Sequence, residues 1–264
     1  MPASAVPAES GLARLNLGVW TQGRFMRAYA HRQLRPVEAL AFARYREDFA
    51  GQVLELGCGA GRITGYLVEL AERAYGIDLS QAMIDECRRR YPQGDFTTGD
   101  LRDLSRWADG TLSAVVAGCN VLDVFTDAER RAVLGEIRRV LVPKGLLMMS
   151  SHNRAYLPRV RGPLQLRTSD PARFAYDLLR APGRWSRHRR LLAYEQETDD
   201  YAIVSDGAHG YSLVHYFIEP AAQRRQFEEV GLRTVEVLDL DGRALGEGER
   251  AEDCVEIHYL ARRD

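Results

Sequence analysis

Between Val53 and Arg62 the chain reads Val-Leu-Glu-Leu-Gly-Cys-Gly-Ala-Gly-Arg: a short apolar strand with an acid inside it, then glycines at every second position. A strand ending this way turns tightly and lets a ligand reach the backbone without side-chain interference. The helix that follows presents free N–H groups to polar ligand atoms. Such a segment asks for an α/β framework in which a buried strand delivers a ligand-binding loop.

The glycine spacing separates two kinds of ligand. The dinucleotide fingerprint is Gly-x-Gly-x-x-Gly, its third glycine set for helix packing beside a pyrophosphate. Here the pattern is Gly-x-Gly-x-Gly, which disfavours a nicotinamide oxidoreductase. Ala74 to Leu79 reads as a second buried strand ending in Asp78, 23 positions after Glu55. A carboxylate at that strand end can accept hydrogen bonds from both hydroxyls of a ribose. Met83 follows in Ser80-Gln81-Ala82-Met83, and Gly99-Asp100-Leu101 follows a short strand around Phe96.

In this order, each at a strand end, these residues resemble the cofactor motifs of the class I S-adenosylmethionine (SAM)-dependent methyltransferases of the small-molecule acting type. The resemblance covers residues 50 to 151 well. It implies a Rossmann-like α/β fold with a mostly parallel seven-stranded sheet whose last strand is antiparallel, and SAM as cofactor. It also implies roles. Glu55, Gly57, Cys58, Gly59, Gly61 and Arg62 belong to the loop around the methionine part, Asp78 with Leu79 takes the ribose, and Met83 packs on the adenine. Asp100 and Leu101 read the adenine edge, while Cys119 and Asn120, at the fourth-strand end, meet the methionine end and the incoming nucleophile.

Periodicity supports alternating strands and helices. Ile63, Leu67 and Leu70 recur at helical spacing, Ser80 is a helix N-cap, and Thr126-Asp127-Ala128-Glu129 has capping-box form ahead of Val133, Leu134, Ile137 and Leu141. Ser113 to Cys119 reads as the fourth strand. Pro143-Lys144-Gly145 breaks the next helix before a fifth strand from Leu146 to Ser151. Pro220 to Val230 reads as a helix stopped by Gly231, and Thr234 to Leu240 with Cys254 to Leu260 as an antiparallel terminal pair.

Composition narrows the setting. The 264 residues, 45% apolar and 28% charged with net charge −1, suit one compact enzyme and give no global pull toward nucleic acid or membrane. No apolar run approaches membrane-spanning length, and Met1 to Gly11 lacks a signal-peptide pattern, so the expected location is cytoplasmic. Residues 1–14 are expected to form a flexible tail. Cys58, Cys87, Cys119 and Cys254 are scattered without C-x-x-C pairing or zinc-type spacing, so free thiols and no metal are expected.

The expected domain layout is a SAM-binding domain over 15–152 and 220–264, interrupted by a substrate-covering lid at 153–219. From Arg154 to Arg190 the lid holds ten arginines against Asp170 and Asp177, and Ser169-Asp170-Pro171 starts a helix through Arg180. Two readings stay open: a site for an anionic substrate, or a solvated helical face packing Phe174 and Leu178 beneath it. Tyr201 to Val204 and Tyr211 to Ile218 read as strands joined through Asp206-Gly207.

Methyl transfer from a sulfonium needs in-line alignment and, for some acceptors, removal of a proton. His152, at the end of strand five beside Asn153, is the first candidate base, followed by His215 and Tyr216. Tyr29, Asn120, Asn153 and Tyr211 are candidate substrate contacts. Trp20, Phe25 and Tyr29 sit on an expected N-terminal helix that either walls the site or simply packs on the sheet. The expected function is transfer of a methyl group to an oxygen or nitrogen of a small molecule, a sugar or another anionic metabolite. RNA methylation through the arginine-rich segment and a non-catalytic SAM-binding regulatory subunit are the alternatives; nucleic acid is the less favoured partner.

Overall fold

The computed structural model describes residue 16 and residues 33–160, 170–207 and 211–264. Helix α1 (Pro36–Arg44) precedes β1 (Gln52–Leu56), α2 (Thr64–Leu70), β2 (Arg73–Asp78), α3 (Gln81–Arg90), β3 (Asp95–Thr98) and β4 (Leu112–Ala117). A 3₁₀ turn (Val121–Val124), α4 (Asp127–Val140) and the long β5 (Leu141–Asn153) follow. After a second 3₁₀ turn (Arg154–Arg159) come α5 (Pro171–Leu191), β6 (Gln196–Glu197), β7 (Tyr201–Val204) and β8 (His215–Ile218). The described chain closes with α6 (Pro220–Glu229), β9 (Leu232–Leu238) and β10 (Glu256–Arg263).

Strands β3-β2-β1-β4-β5 lie side by side and parallel, and β10 runs antiparallel between β5 and β9. This is the seven-stranded, mostly parallel α/β sheet with an antiparallel last strand that the motifs imply. Alternation along the strands sorts the core onto two faces. Leu54, Leu56, Val115, Ala117, Leu147 and Met149 pack with Val133, Leu134 and Ile137 of α4 and Phe227 of α6. Val53, Ala114, Val116, Leu146 and Met148 pack with Val37, Ala41 and Phe42 of α1 and Leu67 of α2. Each fully buried Val, Leu, Ile, Met or Phe side chain among them is worth roughly 1.5–3 kcal/mol.

Both caps read from the sequence form. Ser80 Oγ accepts from the Met83 N–H, and Thr126 and Glu129 exchange side-chain and backbone hydrogen bonds at the start of α4. Several boundaries differ: the strand expected from Tyr211 starts at His215, and the terminal pair spans Leu232–Leu238 and Glu256–Arg263. The fifth strand starts at Leu141, directly after α4, and carries the Pro143-Lys144-Gly145 break inside it, with Lys144 at φ +66°. Helix α5 continues past Arg180 through Pro182 to Leu191.

The insertion joins the main sheet. β5 runs two residues beyond the expected Ser151, and His152 and Asn153 pair with Phe217 and Ile218 of β8, which continues antiparallel into β7 and β6. Because β10 also pairs with His152, β8 takes the edge of β5 that β4 occupies lower down. Ten strands therefore form one sheet, and the insertion is rooted at the carboxyl end of β5.

Candidate active site

The glycine loop folds where the sequence puts it, and each glycine has a separate physical reason. Gly57 and Cys58 both donate to Ile77 O, at 2.8 and 3.2 Å, which clamps the end of β1 to the end of β2. Gly57 lies at φ +62°, and a Cβ there would fall 2.3 Å from Val121 Cγ2. Gly59, at φ +53°, faces open space, with nothing within 4 Å of a Cβ. One glycine makes room for the protein and the other leaves its backbone bare on the ligand side. Gly61, at φ +88°, is closed in by Tyr91 and Cys87.

Asp78 ends β2 facing this loop. Its Oδ2 accepts from the Gly59 N–H and its Oδ1 from the Ser80 N–H, both at 2.9 Å. Burial pushes the carboxyl above its ordinary range, and these two donors pull it back part of the way. Glu55 lies deeper, accepting from Thr64 Oγ1 at 2.5 Å, and burial raises its pKa to about 8. Met83 is buried against Ala60, and Leu79 is exposed beside Asp78. Cys58 and Leu101 turn their side chains into the core, so only their backbones face the loop region.

Two expected cofactor residues have other engagements. Both carboxylate oxygens of Asp100 receive the Arg102 guanidinium, which also reaches Glu129 at 2.7 Å. Arg62 makes a two-pronged bond to Glu38 of α1, at 2.6 Å for each prong, and so ties the helix before β1 to the glycine loop.

At the end of β4 the backbone passes through the left-handed region twice, at Cys119 (φ 54°) and Asn120 (φ 56°). Consecutive non-glycine residues there cost energy and mark functional turns. The turn is held by the Asn120 N–H donating to Ser150 Oγ at 2.9 Å. Asn120 Nδ2 donates to Glu256 Oε2 at 2.8 Å and lies 3.2 Å from His152 Nε2. Its Oδ1 is buried without a donor among the described residues. Burial raises the Cys119 thiol above its usual range, which argues against a thiolate nucleophile.

His152 is fixed by Asp123, whose Oδ2 accepts from the His152 backbone N–H and faces its ring Nδ1, each at 2.7 Å. The other carboxylate oxygen accepts from Arg130 Nη1 at 2.6 Å and Ser151 Oγ at 2.7 Å. Asp123 at Nδ1 and the Asn120 amide nitrogen at Nε2 form surroundings that the Nδ1–H tautomer of the imidazole satisfies. Desolvation lowers the His152 pKa, but the Asp123 hydrogen bond and charge outweigh it and the net direction is up. The ring packs against His215 and Phe217 with centroids 5.0 and 4.9 Å away.

Two residues expected at the acceptor, Asn153 and Tyr216, face elsewhere, and a third, Tyr211, is buried next to the Asp206-Gly207 loop. Asn153 is fully buried, its amide donating to the carbonyls of Arg250, Ala251 and Cys254 while Oδ1 accepts from the Ala155 N–H; it pins the 250–254 loop. Tyr216 alternates away from His215 on β8, stacks on Tyr201 and donates to Asp127 at 2.5 Å, with burial holding its hydroxyl neutral. Tyr211 is buried over Gly207 and beside His188. Trp20, Phe25, Tyr29 and the 1–14 tail lie outside the described residues.

Sequence reading missed Asp123, Arg130, Glu256 and Asp206. Asp206 had been read as part of a turn; its carboxylate stands 3.2 Å from His215 Nδ1. Glu256 sits under Asn120, paired with Arg35 and with His258 Nε2 at 3.1 Å, and these two partners hold it well below the usual carboxylate range despite its burial. No spacing signal links these residues, because they come from separate elements.

The donor set fits SAM. The bare backbone at Gly59, the Asp78 carboxylate and the orphaned Asn120 Oδ1 offer a surface for close approach, acceptors for a ribose diol and an acceptor for an ammonium group. The strand order and this loop define a nucleoside-cofactor enzyme of the α/β transferase type.

Comparison with known proteins gives the family. Residues 53–145 match the methyltransferase domain family. Trans-aconitate 2-methyltransferase from Azoarcus sp. (strain BH72) is 27% identical over 213 residues, covering 75% of this chain and 81% of that protein. Among solved structures, a SAM-dependent methyltransferase from Clostridium acetobutylicum ATCC 824 superposes with a TM-score of 0.61 at 14% identity, over 91% of this chain and 98% of that one. Magnesium protoporphyrin IX methyltransferase from Synechocystis PCC 6803, solved with bound S-adenosylhomocysteine, gives 0.58 at 14% identity over 96% and 100%. The two structural likenesses bear on fold alone. The chain is a class I SAM-dependent methyltransferase.

Proposed function

We propose that this methyltransferase modifies an oxygen or nitrogen of a small, anionic acceptor bound at the carboxyl end of β5. The observation that carries the reading is the His152 corner. A half-buried imidazole held by Asp123 sits at the end of β5, next to the strained Asn120 turn and beside β8 of the insertion. The small-molecule relative from Azoarcus, named for trans-aconitate, is in keeping with it.

In this reading Asp78 takes the ribose hydroxyls, Met83 and the backbone of Asp100 and Leu101 take the adenine, and the Glu55 to Arg62 loop with Cys119 and Asn120 surrounds the methionine end. When bound, SAM supplies a methyl group on a positively charged sulfur. The protein's part is alignment: Asn120 and His152 would hold the acceptor at this corner so that its reacting atom meets the methyl group in line. Asp123 keeps the His152 ring from rotating, so its Nε2 edge stays turned toward Asn120 and the acceptor corner.

A second reading, methylation of RNA, rests on α5, where Tyr176 and Trp185 are exposed among arginines. One experiment separates the two. The pure protein is given SAM labelled on its methyl group and a cell extract, and the label is followed into small-molecule, RNA and protein fractions. Label among small molecules is expected; label confined to RNA, with affinity falling steeply as salt rises, would replace the first reading with the second.

A further inference from the structure

Three side chains far apart in sequence converge at this corner. His152 comes from the end of β5, His215 from the start of β8, and Asp206 from the loop between β7 and β8, and one ligating atom of each lies within 4.8 Å of the other two. We propose that His152, Asp206 and His215 form a divalent-cation site whose open positions take oxygen donors of the methyl acceptor. The proposal rests on the reading that the acceptor binds at this corner.

The chemistry of the set is specific. Two imidazoles and one carboxylate suit borderline dications such as Zn²⁺ or Mn²⁺, and an acidic cluster alone would not discriminate in that way. The spacing is close to that of a loaded site. Ligands about 2.1 Å from a common ion stand roughly 3.0–3.4 Å from one another. His215 Nδ1 and Asp206 Oδ1 are already 3.2 Å apart, so the residual adjustments are the approach of His152, by under about 2 Å, and the withdrawal of Asn120 Nδ2 from Nε2. All three side chains are shielded, with exposures of 16%, 9% and 6% for His152, Asp206 and His215.

Asp123 supplies an independent sign. Metal-bound histidines commonly donate their second ring N–H to a carboxylate, which fixes the tautomer and raises ligand basicity. Asp123 Oδ2 holds Nδ1–H of His152 in that arrangement, leaving the Nε2 lone pair for an ion. Asn120 Nδ2 sits 3.2 Å from Nε2 and also donates to Glu256, a bond it can keep when an ion takes its place at Nε2.

Three protein ligands leave positions open, the arrangement of a site that works on a bound molecule and not of one that staples a fold. The acceptor it selects carries two neighbouring oxygen donors, as a 2-hydroxy acid or a vicinal diol does. The sequence hides the site because its ligands are 54 and 9 residues apart, without a metal-type spacing.

The test uses full-length, tag-free protein freed of metal by chelation and titrated with Zn²⁺ by calorimetry and with Mn²⁺ by electron paramagnetic resonance. S-adenosylhomocysteine binding is measured in parallel as a check on folding. One ion per chain is expected, bound at least 10-fold more weakly by His215→Ala and by Asp206→Asn, with S-adenosylhomocysteine affinity unchanged. Absence of stoichiometric ion in the wild-type protein overturns the site, as does wild-type affinity in both variants. Methyl transfer to a small molecule by ion-free protein at full rate would overturn the site and leave the proposed function standing.

Discussion

Asp123 and His152 are joined twice through one oxygen: Oδ2 of the buried carboxylate lies 2.7 Å from both the backbone nitrogen and the ring Nδ1 of His152. The other oxygen of Asp123 meets Arg130, a fully buried guanidinium that also reaches Gln223 and Ser151. One carboxylate thus balances a buried cation and orients the ring at the acceptor corner.

Replacing Asp123 by Asn leaves the Arg130 charge buried without its partner. Removing one member of such a pair costs about 3–5 kcal/mol, far more than breaking a surface ion pair. Urea denaturation of Asp123→Asn checks this, and a loss under about 1 kcal/mol would mean that Arg130 finds other compensation.

Gly57 and Gly59 are expected to respond differently to the same substitution. Gly57→Ala drives a methyl group to 2.3 Å from Val121 in left-handed backbone, so its melting temperature falls. Gly59→Ala meets no protein atom and pays chiefly the left-handed penalty, about 1 kcal/mol. Its methyl group instead occupies the ligand side, so S-adenosylhomocysteine affinity drops by 10-fold or more while the fold holds. Thermal melts and calorimetry on both variants check the contrast.

Glu55 gives the cofactor-free protein a pH dependence of definite sign. Its pKa is about 8 in the fold against 4.5 for the ordinary group, so the unfolded chain releases this proton first as pH rises. Stability from this residue is therefore lost progressively between pH 4.5 and about 8 and levels off above that. Glu55→Gln keeps an acceptor for Thr64 and removes the slope. The variant is expected to match wild type near pH 4.5 and to exceed it by a few kcal/mol, to order of magnitude, at pH 8. Equal stability differences at both pH values would contradict the buried, protonated state.

The parts of the site that were legible in the sequence are local. The Val53 to Arg62 loop, Asp78 and the Ser80 and Thr126 caps each depend on residues a few positions apart, where glycine spacing and capping chemistry act directly. The acceptor corner depends on long-range contacts. Asn153 was read as a substrate contact because it follows strand five, yet its amide is spent on carbonyls 97 to 101 residues away. Tyr216 and His215 are neighbours in sequence but lie on opposite faces of β8, so a single assignment could not serve both. Asp206 looked like half of a turn and stands beside His215 because β7 and β8 extend the main sheet past the end of β4.

The most direct test of the account is calorimetric titration of S-adenosylhomocysteine into the wild-type protein and into Asp78→Ala. One site per chain is predicted for the wild type, with affinity reduced at least 10-fold in a variant that still melts cooperatively above the titration temperature, because Asp78 is the acceptor pair facing the glycine loop. Binding of equal strength in both proteins would show that the cofactor does not lie at the end of β2 and would contradict the site described.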